Sequence, residues 1–102
     1  MTSLKGKVAV ITGSSRGLGF AIAETYAQAG ASVVLAARSS KTVVQAVDSL
    51  RAKGYTASGL TCDVSALDQV RALAEHAVST FGRIDIWVNN AGISGIYGPS
   101  AH

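Results

Sequence analysis

The chain is short of almost everything that marks a specialised class of protein. It has one cysteine, one proline, one tryptophan and one methionine in 102 residues. A single thiol, Cys62, cannot close an internal disulfide, so a cystine-stapled scaffold is excluded and a reducing, cytoplasmic setting is expected. Charged residues make up 15 % and aromatics 6 % against 48 % hydrophobic residues, a balance that excludes a disordered chain. The aliphatic runs are short, so no membrane span is expected. The segment from Met1 to Lys7 lacks the apolar core of a signal peptide. Net charge is +3, but the basic residues are scattered and not interleaved with aromatics, which argues against a nucleic-acid surface. No cluster of side chains has metal-ligand spacing.

What the chain does have is glycine, 11 residues of it, set between short β-branched runs. Val8, Val10 and Ile11 read as a buried strand. It ends in Thr12-Gly13, and Gly17 and Gly19 open an amphipathic segment. Strand, glycine-rich turn and helix together form a geometry that holds a pyrophosphate. The glycines let the backbone turn and approach an anion, and the helix start offers unpaired N–H groups and the positive end of its dipole. The spacing is G-x-x-x-G-x-G rather than the G-x-G-x-x-G of the long-chain dehydrogenases.

Further along, Leu18, Ala21, Ile22 and Ala29 recur at helical spacing, with Gly30 as a stop. Ser32 to Ala37 is a second apolar strand without strict alternation, as expected when both faces are covered. Lys41 to Lys53 reads as a helix with Val43, Val44, Val47 and Leu50 inward and Gly54 at its end. Thr56 to Cys62 is a third, weaker strand, with Cys62 an inert buried residue. Ser65-Ala66-Leu67-Asp68 resembles a capping box with Asp in place of Glu. The helix it starts carries Leu67, Val70, Leu73, Ala74, Ala77, Val78 and Phe81, and Gly82 follows. Ile84 to Asn89 is a fourth strand, and the residues after Ala91 read as a loop. The order βαβαβαβ implies an α/β fold with a parallel sheet and right-handed crossovers. No domain boundary, repeat or low-complexity tract interrupts it.

These motifs carry a resemblance. Thr12-Gly13-Ser14-Ser15-Arg16-Gly17-Leu18-Gly19 is similar to the T-G-x-x-x-G-x-G signature of the short-chain dehydrogenases/reductases. Asn89-Asn90-Ala91-Gly92 resembles that family's N-N-A-G, Asp63-Val64 its D-V, and Asp85 its acidic residue before N-N-A-G. The resemblance covers the whole chain. It implies a Rossmann-type sheet of strand order 3-2-1-4, with residues 1–102 forming the N-terminal part of a single NAD(P)-binding domain. It also implies that Gly13, Ser14, Ser15, Arg16, Gly17, Leu18 and Gly19 line the adenosine-diphosphate part of a nicotinamide dinucleotide. Asp63 and Val64 would contact adenine, and Asn90, Ala91 and Gly92 would run beneath the adenosine ribose and phosphates. For Asn89 and Asn90 a scaffold role bridging neighbouring strands stands equally beside ligand contact. For Asp85 a structural hydrogen bond is the favoured reading.

The end of the second strand bears on the choice of cofactor. A site that prefers NAD places Asp or Glu there for the ribose 2′-hydroxyl. This chain has Ala37-Arg38, with Arg16 in the glycine loop. A guanidinium pairs with a 2′-phosphate in fork geometry where a carboxylate would repel it, and Ser39 and Ser40 add neutral donors. NADP(H) is therefore expected over NAD(H). The competing reading is that Arg38 is a solvated loop charge. An S-adenosylmethionine site would want an acidic residue at this position, and Ala37-Arg38 speaks against it. His76 reads as a solvated helix residue, and Trp87 and Tyr26 as packing.

The family's chemistry moves hydride between the nicotinamide and a small carbonyl or alcohol substrate. A tyrosine acts as acid/base, a lysine lowers its pKa and a serine orients the substrate. None of Tyr26, Tyr55 or Tyr97 has a lysine four residues later. The resemblance thus implies that the catalytic residues lie beyond His102. The chain would then be the first two-fifths of a protein of about 250 residues, inactive alone and homo-oligomeric when complete. A stand-alone module that binds NADP(H) without turnover is the other reading. The fourth strand would be an unpaired apolar edge, and a core of this size is expected to be marginal.

Overall fold

In the computed structural model, which describes residues 3–90, the run Val8–Thr12 forms β1, and all five of its residues are buried. Its neighbour β2 (Ser32–Ala37) is buried through Val33, Val34, Leu35 and Ala36. Two adjacent strands covered on both faces occupy the middle of a parallel sheet, which is why neither shows a polar alternation. The outer strands are β3 (Ala57–Thr61) and β4 (Ile86–Val88). The order is β3-β2-β1-β4, the Rossmann-type arrangement expected. All pairs are parallel, with Val10 opposite Val34 and Trp87, and Leu35 opposite Gly59.

Three helices fill the crossovers: α1 (Gly17–Gln28), α2 (Ser40–Ala52) and α3 (Leu67–Phe81). Because successive strand residues point to opposite faces, β1 and β2 feed two cores. Ala9, Ile11, Val33 and Leu35 meet α1 and α2 through Ala23, Ala27, Val43, Ala46, Val47 and Leu50. Val10, Val34 and Ala36 meet α3 through Leu73 and Ala77, with Cys62 beside them. Each fully buried Ile or Leu here stabilises the fold by about 1.5–3 kcal/mol relative to exposure.

Several local expectations are corrected. The inward stripe of α1 is Gly19, Ala23 and Ala27, while Leu18 is 66 % exposed and Ala21 lies on the surface. Small residues win because this helix packs close against the sheet. Val44, Leu67 and Val78 are also exposed. No capping box forms at Ser65: α3 begins after Ala66, and the Ser65 hydroxyl and amide both donate to Asp63 Oδ1. The nearby carboxylate outcompetes the helix for the serine. The fourth strand is shorter than Ile84 to Asn89, and Asp85, just before it, is bound twice to Val8 at the start of β1. Its amide donates to the Val8 carbonyl and its Oδ2 accepts from the Val8 amide, each at 2.9 Å. That is the structural hydrogen bond favoured for Asp85. His76 is not a solvated residue; its Nε2 lies 2.8 Å from Ser58 Oγ on β3, a polar tie between helix and sheet.

Among the described residues no helix is long and apolar enough to cross a membrane, and no group of three or more His, Cys, Asp or Glu is placed to hold a metal.

Candidate functional site

Parallel strands deliver their C-terminal ends to one edge of the sheet, and the candidate residues gather there. The ends of β1, β2 and β3 surround a cleft of about 540 Å³ lined by Gly13, Ser15, Arg16, Arg38, Ser39 and Asp63, among others. Val64 also lines it, as does Cys62.

One wall is the glycine loop, which is held from beneath. Ser14 is fully buried and faces inward. Its amide donates to the Ala36 carbonyl at 3.0 Å, and its hydroxyl donates to the Ile11 carbonyl at 2.7 Å and accepts from the Ala36 amide at 3.0 Å. Ser14 therefore ties the loop to β1 and β2, and its side chain does not line the cleft. Asn90 completes the support by donating its side-chain Nδ2 to the Gly13 carbonyl at 3.0 Å. This is the scaffold alternative weighed for the asparagine pair, while Asn89 accepts from the Trp87 indole at 3.0 Å. Gly19 sits over both contacts: a Cβ there would fall 2.1 Å from the Gly13 carbonyl oxygen and 2.6 Å from Asn90 Nδ2. No side chain fits at that position. Ala91 and Gly92, the other two candidates of this segment, lie outside the described residues.

The helix that leaves this loop begins bare. Its N-cap position, Arg16, is extended (φ −162°, ψ 173°), and among the described residues no side chain caps it. Its first turn, Gly17-Leu18-Gly19-Phe20, carries no acidic residue. Gly17 adopts φ +63°, and among the described residues beyond its chain neighbours and its own helix backbone a Cβ there would meet no atom within 4 Å. A positive dipole end with room in front of it is chemically suited to an anion. The Leu18 side chain points elsewhere, into a shallow groove on the outer side of α1 with Ala21, Ile22, Thr25 and Tyr26.

The opposite wall comes from β2 and β3. The Cys62 amide donates to the Ala37 carbonyl at 2.8 Å, which holds the two strand ends side by side just before Arg38 and Asp63. The Arg38 side chain is 84 % exposed, with its Nη2 4.0 Å from Asp63 Oδ2. Ser39 is the N-cap of α2, and its Oγ accepts from the Thr42 amide at 3.4 Å. Two hydrogen bonds from Ser65 hold the Asp63 carboxyl below its ordinary pKa, with Arg38 adding a smaller pull. Burial, with a smaller contribution from Asp63, pushes the Cys62 thiol up, away from the reactive thiolate.

The sequence and the fold both match known proteins. Residues 7–101 match the family model described as short chain dehydrogenase. The chain belongs to the short-chain dehydrogenase family. It is 45 % identical over 94 residues to the uncharacterized oxidoreductase YxnA of Bacillus subtilis, covering 92 % of this chain and 26 % of that protein. It superposes on a hydroxysteroid dehydrogenase from Escherichia coli with a TM-score of 0.85 and 40 % identity, over 97 % of this chain and 41 % of that one. A short-chain dehydrogenase/reductase from Burkholderia phymatum, solved in complex with NAD, matches with a TM-score of 0.81 and 42 % identity, over 85 % of this chain and 31 % of that one. The chain thus spans between about a quarter and two-fifths of the length of these relatives.

Proposed function

We propose that this chain forms the adenosine-phosphate half of a nicotinamide dinucleotide site, in an oxidoreductase that prefers NADP(H) to NAD(H). The observation that carries the reading is a pairing across one cleft. A bare helix start, which suits a pyrophosphate, faces an exposed arginine at the end of β2, where an NAD site would place a carboxylate. The residues fit the group: the glycine loop leaves space where side chains would block it, and its donors are backbone amides rather than acids.

The amides from Ser15 to Gly19 would hold the pyrophosphate, with Arg16 beside them. Arg38, Ser39 and Ser40 would meet the 2′-phosphate, and Asp63 and Val64 the adenine. Ser14, Gly19 and Asn90 hold the cradle in shape. The NAD-bound Burkholderia relative supports the dinucleotide class, whereas the preference within that class rests on Arg38. When bound, the nicotinamide supplies or accepts a hydride, and a small carbonyl or alcohol is the substrate this implies for the whole protein. The single buried thiol accords with a reducing, cytoplasmic setting.

The test is equilibrium binding of NADPH and NADH to this chain and to Arg38→Asp. A charge-assisted phosphate contact is worth about 1.5–3 kcal/mol, so the NADPH preference should fall about tenfold or more. An unchanged ratio would remove the argument for NADP(H).

A further inference from the structure

We propose that Asp63 is a specificity-determining residue that acts through Arg38, as the counter-ion that moderates the grip of that arginine on a 2′-phosphorylated adenosine. The inference rests on the reading of Arg38 as the 2′-phosphate contact. Its basis is an asymmetry in how the two side chains are held. Asp63 is fixed: its Oδ1 accepts from the Ser65 amide at 3.0 Å and the Ser65 hydroxyl at 2.7 Å, and its own amide donates to Gln69 Oε1 at 2.7 Å. With Oδ1 committed to that turn, Oδ2 is the oxygen nearest Arg38, 4.0 Å from Nη2. Arg38 is a long, exposed side chain on the neighbouring strand end, lining the same cleft. The hydrogen-bonded carboxylate therefore offers a fixed charge beside which the exposed guanidinium lies.

A 4.0 Å contact draws on the charge of the guanidinium without closing a bidentate pair, which leaves most of its five donors open. A phosphate dianion arriving at Arg38 must compete with the carboxylate for that charge. An adenosine lacking the phosphate has no such competition to win. Asp63 thereby lowers the preference for the phosphorylated ribose below what Arg38 alone would set.

The matched probes are adenosine 2′,5′-bisphosphate and adenosine 5′-phosphate, which differ by the 2′-phosphate alone. Both are titrated calorimetrically into the wild-type chain, D63N, R38A and the double variant. Asn keeps the Oδ1 acceptor that the Ser65 turn needs. If D63N fails to fold, D63S, whose hydroxyl also accepts from turn amides, carries the same expectations.

At low salt D63N should raise the bisphosphate-to-monophosphate affinity ratio about three- to tenfold. In the R38A background that gain should shrink below about twofold, and it should fade as salt is raised. If D63N weakens both nucleotides equally, Asp63 contacts only the adenosine and the proposal is overturned. An equal gain with and without Arg38 overturns it too, because the carboxylate then acts on the phosphate directly. If R38A itself leaves the ratio unchanged, or the wild-type chain binds neither nucleotide, the underlying reading of the cleft fails and takes the proposal with it.

Discussion

Helices α1 and α2 both start at the end of a central strand and open onto the same cleft, yet they start in opposite ways. The first turn of α2 is finished by the protein itself, since Ser39 accepts from the Thr42 amide and Thr42 Oγ1 donates to the Ser39 carbonyl at 3.0 Å. The first turn of α1 has no such side chain among the described residues, and Arg16 stands in its cap position. A cap is worth about 1 kcal/mol, so leaving one helix without it is a local loss of stability of that order. The contrast shows which helix start the described residues leave without a side-chain partner, and that is the one the proposed function assigns to a pyrophosphate. The loop before α1 is nonetheless the better supported of the two, through Ser14, Asn90 and the close fit at Gly19. A loop so tied down in front of an uncapped helix start is what the proposed phosphate site requires.

The largest blow to this contrast should come from Gly19→Ala. A methyl 2.1 Å from the Gly13 carbonyl oxygen cannot be accommodated without moving the loop. Denaturant melts should show a loss of about 3 kcal/mol or more. Gly17→Ala adds a methyl where the protein leaves space, at φ +63°. It should cost only about 1 kcal/mol of stability but abolish most nucleotide affinity, a split that titration and melting together would reveal.

A sharper test makes α1 resemble α2. Arg16→Asp should cap the bare turn and add about 0.5–1 kcal/mol to stability without ligand, while cutting NADPH affinity. Ser39→Ala runs the other way on α2 and should cost about 1 kcal/mol by removing a cap that exists.

The smallest effect is a pH dependence. The Arg83 side chain, at 2.6 Å, and the Val8 amide hold the Asp85 carboxyl below its ordinary pKa. A carboxylate with a lowered folded pKa contributes stability that is present above its unfolded value near 4 and is lost as pH falls through the folded value. Melting temperature should therefore drop on acidification below about pH 4, and Asp85→Asn should flatten that part of the curve.

Most of the architecture was legible because it depends on local, repeated signals. Apolar runs of strand length, glycine stops and βαβ alternation pointed to a parallel α/β sheet, while the order 3-2-1-4 came from the family resemblance of the motifs at the strand ends. Legibility failed where the outcome turned on a neighbour from another element. The inward face of α1 is Gly19-Ala23-Ala27 because the sheet approaches closely, a distance that hydrophobic spacing does not encode. Ser65 left the helix cap for a carboxylate two residues earlier. His76 and Ser58, separated by 18 residues, meet only once α3 lies on β3. The inward turn of Ser14 likewise depends on β2, since one of its partners is Ala36.

The proposed function stands or falls on the backbone amides from Ser15 to Gly19 serving as a phosphate cradle. An NMR titration of the isotopically labelled chain with NADPH tests it most directly. The bare-cradle arrangement predicts that these amides move most, together with the Arg38 side chain and the residues around Asp63. Saturable binding that leaves the glycine-loop amides unmoved while shifting another part of the chain would contradict it.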